Sequence, residues 1–211
     1  LYLSFFRVMN SLILEYDRKE GEEPLTKEEK ETVTTSIPKW LIFSLVWSLG
    51  ATCFGESRDS FNSTLRENVQ LIQTRDYSAY EVKDEIIAAL NNPKLLPPSG
   101  KSVYDFVWSA TDGDWVDWMT TIPEYSIPRN TPFSNIIVPT RDSIRCTYVL
   151  DKLLLNNSHV LAVGGTGTGK TLNIVDKLMN NMPQEYIPNL LTFSARTSAN
   201  QTQDILDSKM E

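Results

Sequence analysis

Residues 164–171 read GGTGTGKT, and few short stretches restrict a fold as tightly. The pattern G-x-x-x-x-G-K-[ST] is met by Gly164, Gly169, Lys170 and Thr171. It directly follows the apolar HVLAV of His159–Val163 and opens a helical pattern running to about Met179. Glycine permits positive φ and lets the backbone approach a ligand with no Cβ in the way. Successive N–H groups then form a nest for phosphate oxygens, at the start of a helix whose dipole favours an anion. Lys170 is expected to reach the β- and γ-phosphates as a point charge, and the Thr171 hydroxyl to ligate Mg²⁺. A second apolar segment, LLTFS at Leu190–Ser194, precedes another helix start, where Ser198 and Gln201 fit a capping box. Strands alternating with helices imply an α/β fold with a parallel sheet.

Upstream the pattern is helical. Leu3, Phe6, Val8, Leu12, Ile13 and Tyr16 recur near helical spacing, and the acidic, lysine-rich Asp17–Lys30 reads as solvated. Pro38 is expected to start a packed helix carrying Trp40, Phe43, Val46 and Trp47. Ser57–Asn68 continues as a mixed amphipathic helix, and Asp76–Leu90 reads as one more before Pro93, Pro97, Pro98 and Gly100 break the pattern. Val103–Trp108 and Trp115–Met119 are aromatic-rich strand candidates around a Thr111-Asp112-Gly113-Asp114 turn. Their rings lack interleaved basic residues, which favours cross-strand packing over a base-stacking platform. Asp142–Leu155 is amphipathic, with Ile144, Tyr148, Leu150, Leu153 and Leu154 on its apolar side.

A net charge of −7 over 211 residues argues against a nucleic-acid or anionic-membrane surface built on bulk positive charge. The longest apolar run, Trp40–Phe54, is shorter than the ~20 residues of a membrane span and is interrupted by Ser44, Ser48 and Gly50. Cys53 and Cys146 match no metal or redox spacing and read as buried or half-buried thiols of a reducing compartment. The single histidine, His159, has no partner histidine for a metal. The chain starts without methionine inside an amphipathic run and stops inside a helical one, the pattern of a segment from a longer protein.

Hydrolysis would need an acid that organises Mg²⁺, usually at a strand end. After Thr171 the acids are Asp176, Glu185, Asp204, Asp207 and Glu211, and none ends an apolar strand. A free-standing GTPase would carry D-x-x-G and N-K-x-D, and neither occurs; a small kinase would carry an arginine-rich lid, which nothing past Thr171 supplies. A structural module that holds nucleotide without turnover remains a third reading.

FSARTSANQTQDILDSKME at Phe193–Glu211, following GGTGTGKT, resembles the third AAA+ module of dynein heavy chains, particularly axonemal ones. LIFSLVWSLGATC (Leu41–Cys53), LPPSGKSVYDFVW (Leu96–Trp108), WVDW (Trp115–Trp118) and IIVPTRDSIRCTYVLDKLLLNN (Ile136–Asn157) agree, in the family's order. The resemblance implies an incomplete AAA+ P-loop NTPase domain. Residues 1–68 would be the helical lid of the second module, 69–130 a connecting segment with a β-hairpin, and 131–211 the first part of the third large domain. It implies ATP or ADP with Mg²⁺, held by Gly164, Gly165, Thr166, Gly167, Thr168, Gly169, Lys170, Thr171 and Leu172, with Thr171 at the metal. Val138, Pro139 and Thr140 match the loop that lies against the adenine in this family. Gly165 departs from the family, where proline is common. The implied parent is an ATPase motor of the cytoskeleton and ciliary axoneme, moving toward microtubule minus ends. Its partners would be the other AAA+ modules of its own heavy chain, intermediate and light chains, and microtubules. The third site is regarded in this family as regulatory, and the segment alone is expected to be inactive.

Overall fold

Thr26 begins the helix that organises this protein. In the computed structural model, which describes residues 2–18, 21–122, 136 and 138–210, its hydroxyl accepts the Glu29 N–H at 3.2 Å while the Glu29 carboxylate accepts the Thr26 N–H at 2.8 Å. This reciprocal box satisfies two of the free N–H groups of a helix start. Helix α2 therefore spans Lys27–Ser48 and carries Pro38 inside it, not at its first turn as the sequence suggests. The cap upstream supplies a better start, and the proline removes one N–H that the Thr34 carbonyl would otherwise accept. The next residue, Lys39, is buried and donates from its ammonium to the Thr35 carbonyl at 2.7 Å. Burial, and then the charge of Lys94, lower the Lys39 pKa.

Two compact units make up the chain, Leu1–Leu161 and Ala162–Glu211. In the first, α2 buries Trp40, Ile42, Phe43, Val46 and Trp47. Helix α1 (Tyr2–Ile13), with a 3₁₀ turn at Leu14–Tyr16, adds Val8, Met9 and Leu12 to that core. A 3₁₀ turn at Gly50–Thr52 then leads to α3 (Glu56–Thr74). Here glycine is required by close approach: a Cβ on Gly50 would stand 2.6 Å from the Tyr104 hydroxyl and 2.7 Å from the Phe61 ring. From α3, Asn62 accepts the Val103 N–H at 3.0 Å, and Arg66 donates to the carbonyls of Pro97, Pro98 and Lys101 at 3.0–3.1 Å. The proline-rich loop is thereby tied to a helix. The helix expected over Asp76–Leu90 is present only as α4, Asp84–Leu90. Asp76 instead accepts the Ser78 N–H at 2.9 Å and Tyr77 donates to the Ile72 carbonyl at 2.9 Å, local bonds that compete with helix.

The aromatic segment forms an antiparallel hairpin, β1 (Phe106–Ser109) and β2 (Asp114–Asp117), with Trp108 opposite Trp115. These strands are shorter than the expected ones, because Val103–Asp105 and Trp118–Thr120 are 3₁₀ turns. The paired indoles meet edge to face at 5.6 Å, so the rings do pack across the strands. Trp108, Trp115 and Trp118 each donate their ring N–H, to Ser36 Oγ, the Lys94 carbonyl and the Tyr104 carbonyl, at 2.9–3.0 Å. Helix α5 (Arg141–Leu155) starts at a Thr140 cap and lays Ile144, Tyr148, Val149 and Leu153 against the core. Its register buries Arg145 and leaves Cys146 exposed, against the expectation of a buried or half-buried thiol; Cys53 is half-buried. No described helix is long and apolar enough to cross a membrane.

In the second unit, α6 spans Lys170–Asn180 and α7 spans Ala199–Met210. The expected capping box is present: Ser198 Oγ accepts the Gln201 N–H at 3.2 Å, and Gln201 accepts the Ser198 N–H at 3.0 Å. The parallel sheet expected from His159–Val163 and Leu190–Ser194 is not present among the described residues, whose one sheet is the hairpin. A strand exists through its ladder partners, and these two segments have none here. Leu161, Val163 and Phe193 are accordingly 87, 82 and 62 % exposed. Of the expected divisions after 68 and 130, the second falls in 123–135, outside the described residues, as do Ile137 and Glu211.

Candidate functional site

The glycine loop joins the apolar segment His159–Val163 to α6, with Gly169 as the helix N-cap at φ 76° and Gly167 at φ 78°. Both sit in the left-handed region, which any side chain would strain. That conformation directs the loop backbone into the helix start, where the first N–H groups have no partner within the helix. Lys170, Thr171 and Leu172 form that first turn, so their amides and the positive end of the α6 dipole face an approaching anion. Thr171 and Leu172 are exposed and Lys170 is half-buried. The arrangement fits a phosphate group.

Within the loop, the Lys170 ammonium folds back to donate to the Gly165 carbonyl and to Thr168 Oγ1, the latter at 3.1 Å. Thr168 in turn donates to the Gly165 carbonyl at 3.0 Å. The sequence gives no sign of this triangle, because spacing does not say where a flexible lysine rests. A Cβ on Gly165 would meet only the Thr168 methyl, at 3.9 Å, and its φ lies outside the left-handed region. A proline there, as in the resembling family, meets no steric obstacle from its Cβ.

The expected adenine-side residues belong to the first unit. Val138 is 59 % exposed and Thr140 is exposed. The Thr140 hydroxyl already has a structural task, since it accepts the Ser143 N–H at 3.2 Å to cap α5. For Mg²⁺, Thr171 offers one oxygen, and no group of three or more His, Cys, Asp or Glu side chains gathers among the described residues. Asp176, on α6, accepts from the Asn180 amide at 2.8 Å.

Comparison with known proteins covers the whole chain. Residues 1–120 match the family described as dynein heavy chain AAA lid domain, and residues 125–211 match the P-loop containing dynein motor region. The chain is 38 % identical over 218 residues to dynein axonemal heavy chain 1 of Homo sapiens, covering 100 % of this chain and 5 % of that protein. It is 34 % identical over 216 residues to dynein axonemal heavy chain 3 of Mus musculus, covering 100 % and 5 %. It is 35 % identical over 173 residues to dynein axonemal heavy chain 12 of Rattus norvegicus, covering 81 % and 5 %. The chain thus spans about one-twentieth of the length of these relatives.

Proposed function

The chain belongs to the dynein heavy chain family, as an AAA+ segment of it, and from that premise we propose that Gly164–Thr171 holds the phosphates of ATP or ADP within a dynein motor ring. The observation that carries this reading is the left-handed Gly167 and Gly169 backbone leading into the free amides of α6, with Lys170 beside it. In the proposed complex Lys170 neutralises phosphate charge, the Thr171 hydroxyl ligates Mg²⁺, and Gly164–Leu172 surround the phosphates. A bound nucleotide supplies the phosphate anion, and the chain's own part is to bind and orient it.

In the full-length parent, we infer, the lid of the second module continues past the expected division at 68, which falls inside α3, to include the hairpin, and 131–211 belong to the third large domain. The apolar segments His159–Val163 and Leu190–Ser194 enter a parallel sheet there. The third site acts as a regulatory one in an ATP-driven, minus-end-directed motor of the ciliary axoneme. Its partners are the other modules of the ring, intermediate and light chains, and microtubules. None of the acids after Thr171 ends an apolar segment, and on that ground this segment is proposed to bind without turnover.

Titration with a fluorescent ATP analogue tests the reading. Lys170→Ala removes a charged hydrogen-bond donor, worth roughly 1.5–3 kcal/mol, so affinity is expected to fall about ten-fold or more. Equal affinity of the parent and Lys170→Ala proteins would sink the assignment.

A further inference from the structure

The lysine of the glycine loop is held, not free. Its ammonium donates to the Gly165 carbonyl and to Thr168 Oγ1 at 3.1 Å, and the Thr168 hydroxyl closes the triangle by donating to the same carbonyl at 3.0 Å. The aliphatic stem lies along the loop as well, since a Cβ on Gly164 would meet Lys170 Cδ at 3.4 Å and Nζ at 3.8 Å. Threonine is β-branched and stiff at χ1, so a hydroxyl fixed on Gly165 presents a fixed acceptor to the ammonium. Both oxygens that hold the lysine are neutral. A phosphate oxygen is charged, and charge-assisted hydrogen bonds are roughly twice as strong as neutral ones.

We propose that Thr168 is a positioning residue that latches Lys170 against the loop, so that a phosphate recruits the ammonium by taking it from Thr168 Oγ1 and the Gly165 carbonyl. This rests on the phosphate-binding reading of the same loop and adds a step to it. The latch keeps the cation over the loop, and it sets a cost that nucleotide must meet before Lys170 engages. Removing the hydroxyl lowers that cost. Thr168→Val keeps shape and branching but loses both hydrogen bonds, whereas Thr168→Ser keeps the hydroxyl.

The test has two readouts on the full 211-residue chain. The first is the acetylation rate of Lys170 under limiting acetic anhydride without nucleotide, followed by mass spectrometry against exposed Lys27 and Lys83. Thr168→Val should acetylate Lys170 about three- to ten-fold faster, the ratio that one lost hydrogen bond gives, and Thr168→Ser should match the parent. The second is the association rate of a fluorescent ATP analogue, which should rise in Thr168→Val and not in Thr168→Ser. An unchanged Lys170 acetylation rate in Thr168→Val overturns the latch. Faster acetylation with no nucleotide binding by any variant supports the latch and overturns the phosphate reading of the loop, so the two failures are told apart.

Discussion

At the scale of single residues, the first unit depends on a few contacts with no slack. Gly50 is one. A methyl group there would collide with the Tyr104 hydroxyl and the Phe61 ring, and neither is the free end of a flexible chain: Tyr104 is 2 % exposed and donates to the Gly50 carbonyl at 2.8 Å. Gly50→Ala is therefore expected to destabilise the first unit by about 1–3 kcal/mol, the usual cost of overpacking, as read by urea unfolding. The same tyrosine carries a pH dependence. Burial, then the Cys53 thiol nearby, push its pKa up to about 12. An unfolded tyrosine ionises near 10, so this contribution to stability is fully present below about pH 10 and is lost as pH rises toward 12. Tyr104→Phe should flatten the alkaline limb of a stability–pH curve. It should also lose about 1 kcal/mol at neutral pH, because the Gly50 carbonyl loses the phenol hydrogen bond and keeps only the Cys53 N–H. An alkaline limb as steep as the parent's would show that Tyr104 does not cause it.

At the scale of elements, the legible parts were those in which local chemistry decides alone. The Asp-Gly turn is one: Gly113 sits at φ 62°, Ser109 and Asp112 exchange hydrogen bonds across the loop, and the Trp108–Trp115 pair follows. The Ser198–Gln201 box is another. Less legible were elements where two local signals competed. Pro38 is a helix-start residue by preference, yet the Thr26–Glu29 box lies upstream and a single helix runs from it through the proline. Over Asp76–Leu90 the hydrophobic spacing speaks for helix, while the Asp76 and Tyr77 side chains offer the backbone other bonds. Cys146 is exposed because α5 turns Arg145 inward, its guanidinium 5.9 Å from the Trp47 ring, which apolar spacing does not anticipate. If the box does start α2, Thr26→Ala should cost about 1 kcal/mol of stability in the first unit, measured by thermal unfolding. A change within error would assign the helix start to packing around Trp40 and Phe43.

At the scale of the molecule, the two units differ in what holds them. Among the described residues, the first has a core of seventeen buried apolar residues, from Val8 to Trp118. In the second, Lys177 is the one buried residue among those described, and it donates to the Asn181 carbonyl at 2.7 Å. Helices as short as α6 and α7 are marginal in water without tertiary packing. The loop motif was legible because backbone needs specify it residue by residue, while the sheet that should flank it was not, because ladder partners are supplied by other strands. Two outcomes follow. The purified chain should release no phosphate from ATP, since none of the acids after Thr171 follows an apolar segment as its end residue, and measurable turnover would contradict that. Amide hydrogen exchange should divide the chain near Leu161: amides of α2 and the hairpin more strongly protected, those of α6 and α7 exchanging faster. Ligand that binds only the folded loop stabilises it by mass action, so saturating ATP should slow exchange in α6 and leave α2 unchanged. Protection of α6 equal to that of α2 without nucleotide would mean that the second unit has an apolar core of its own, and the affinity of the loop would then owe nothing to coupled folding.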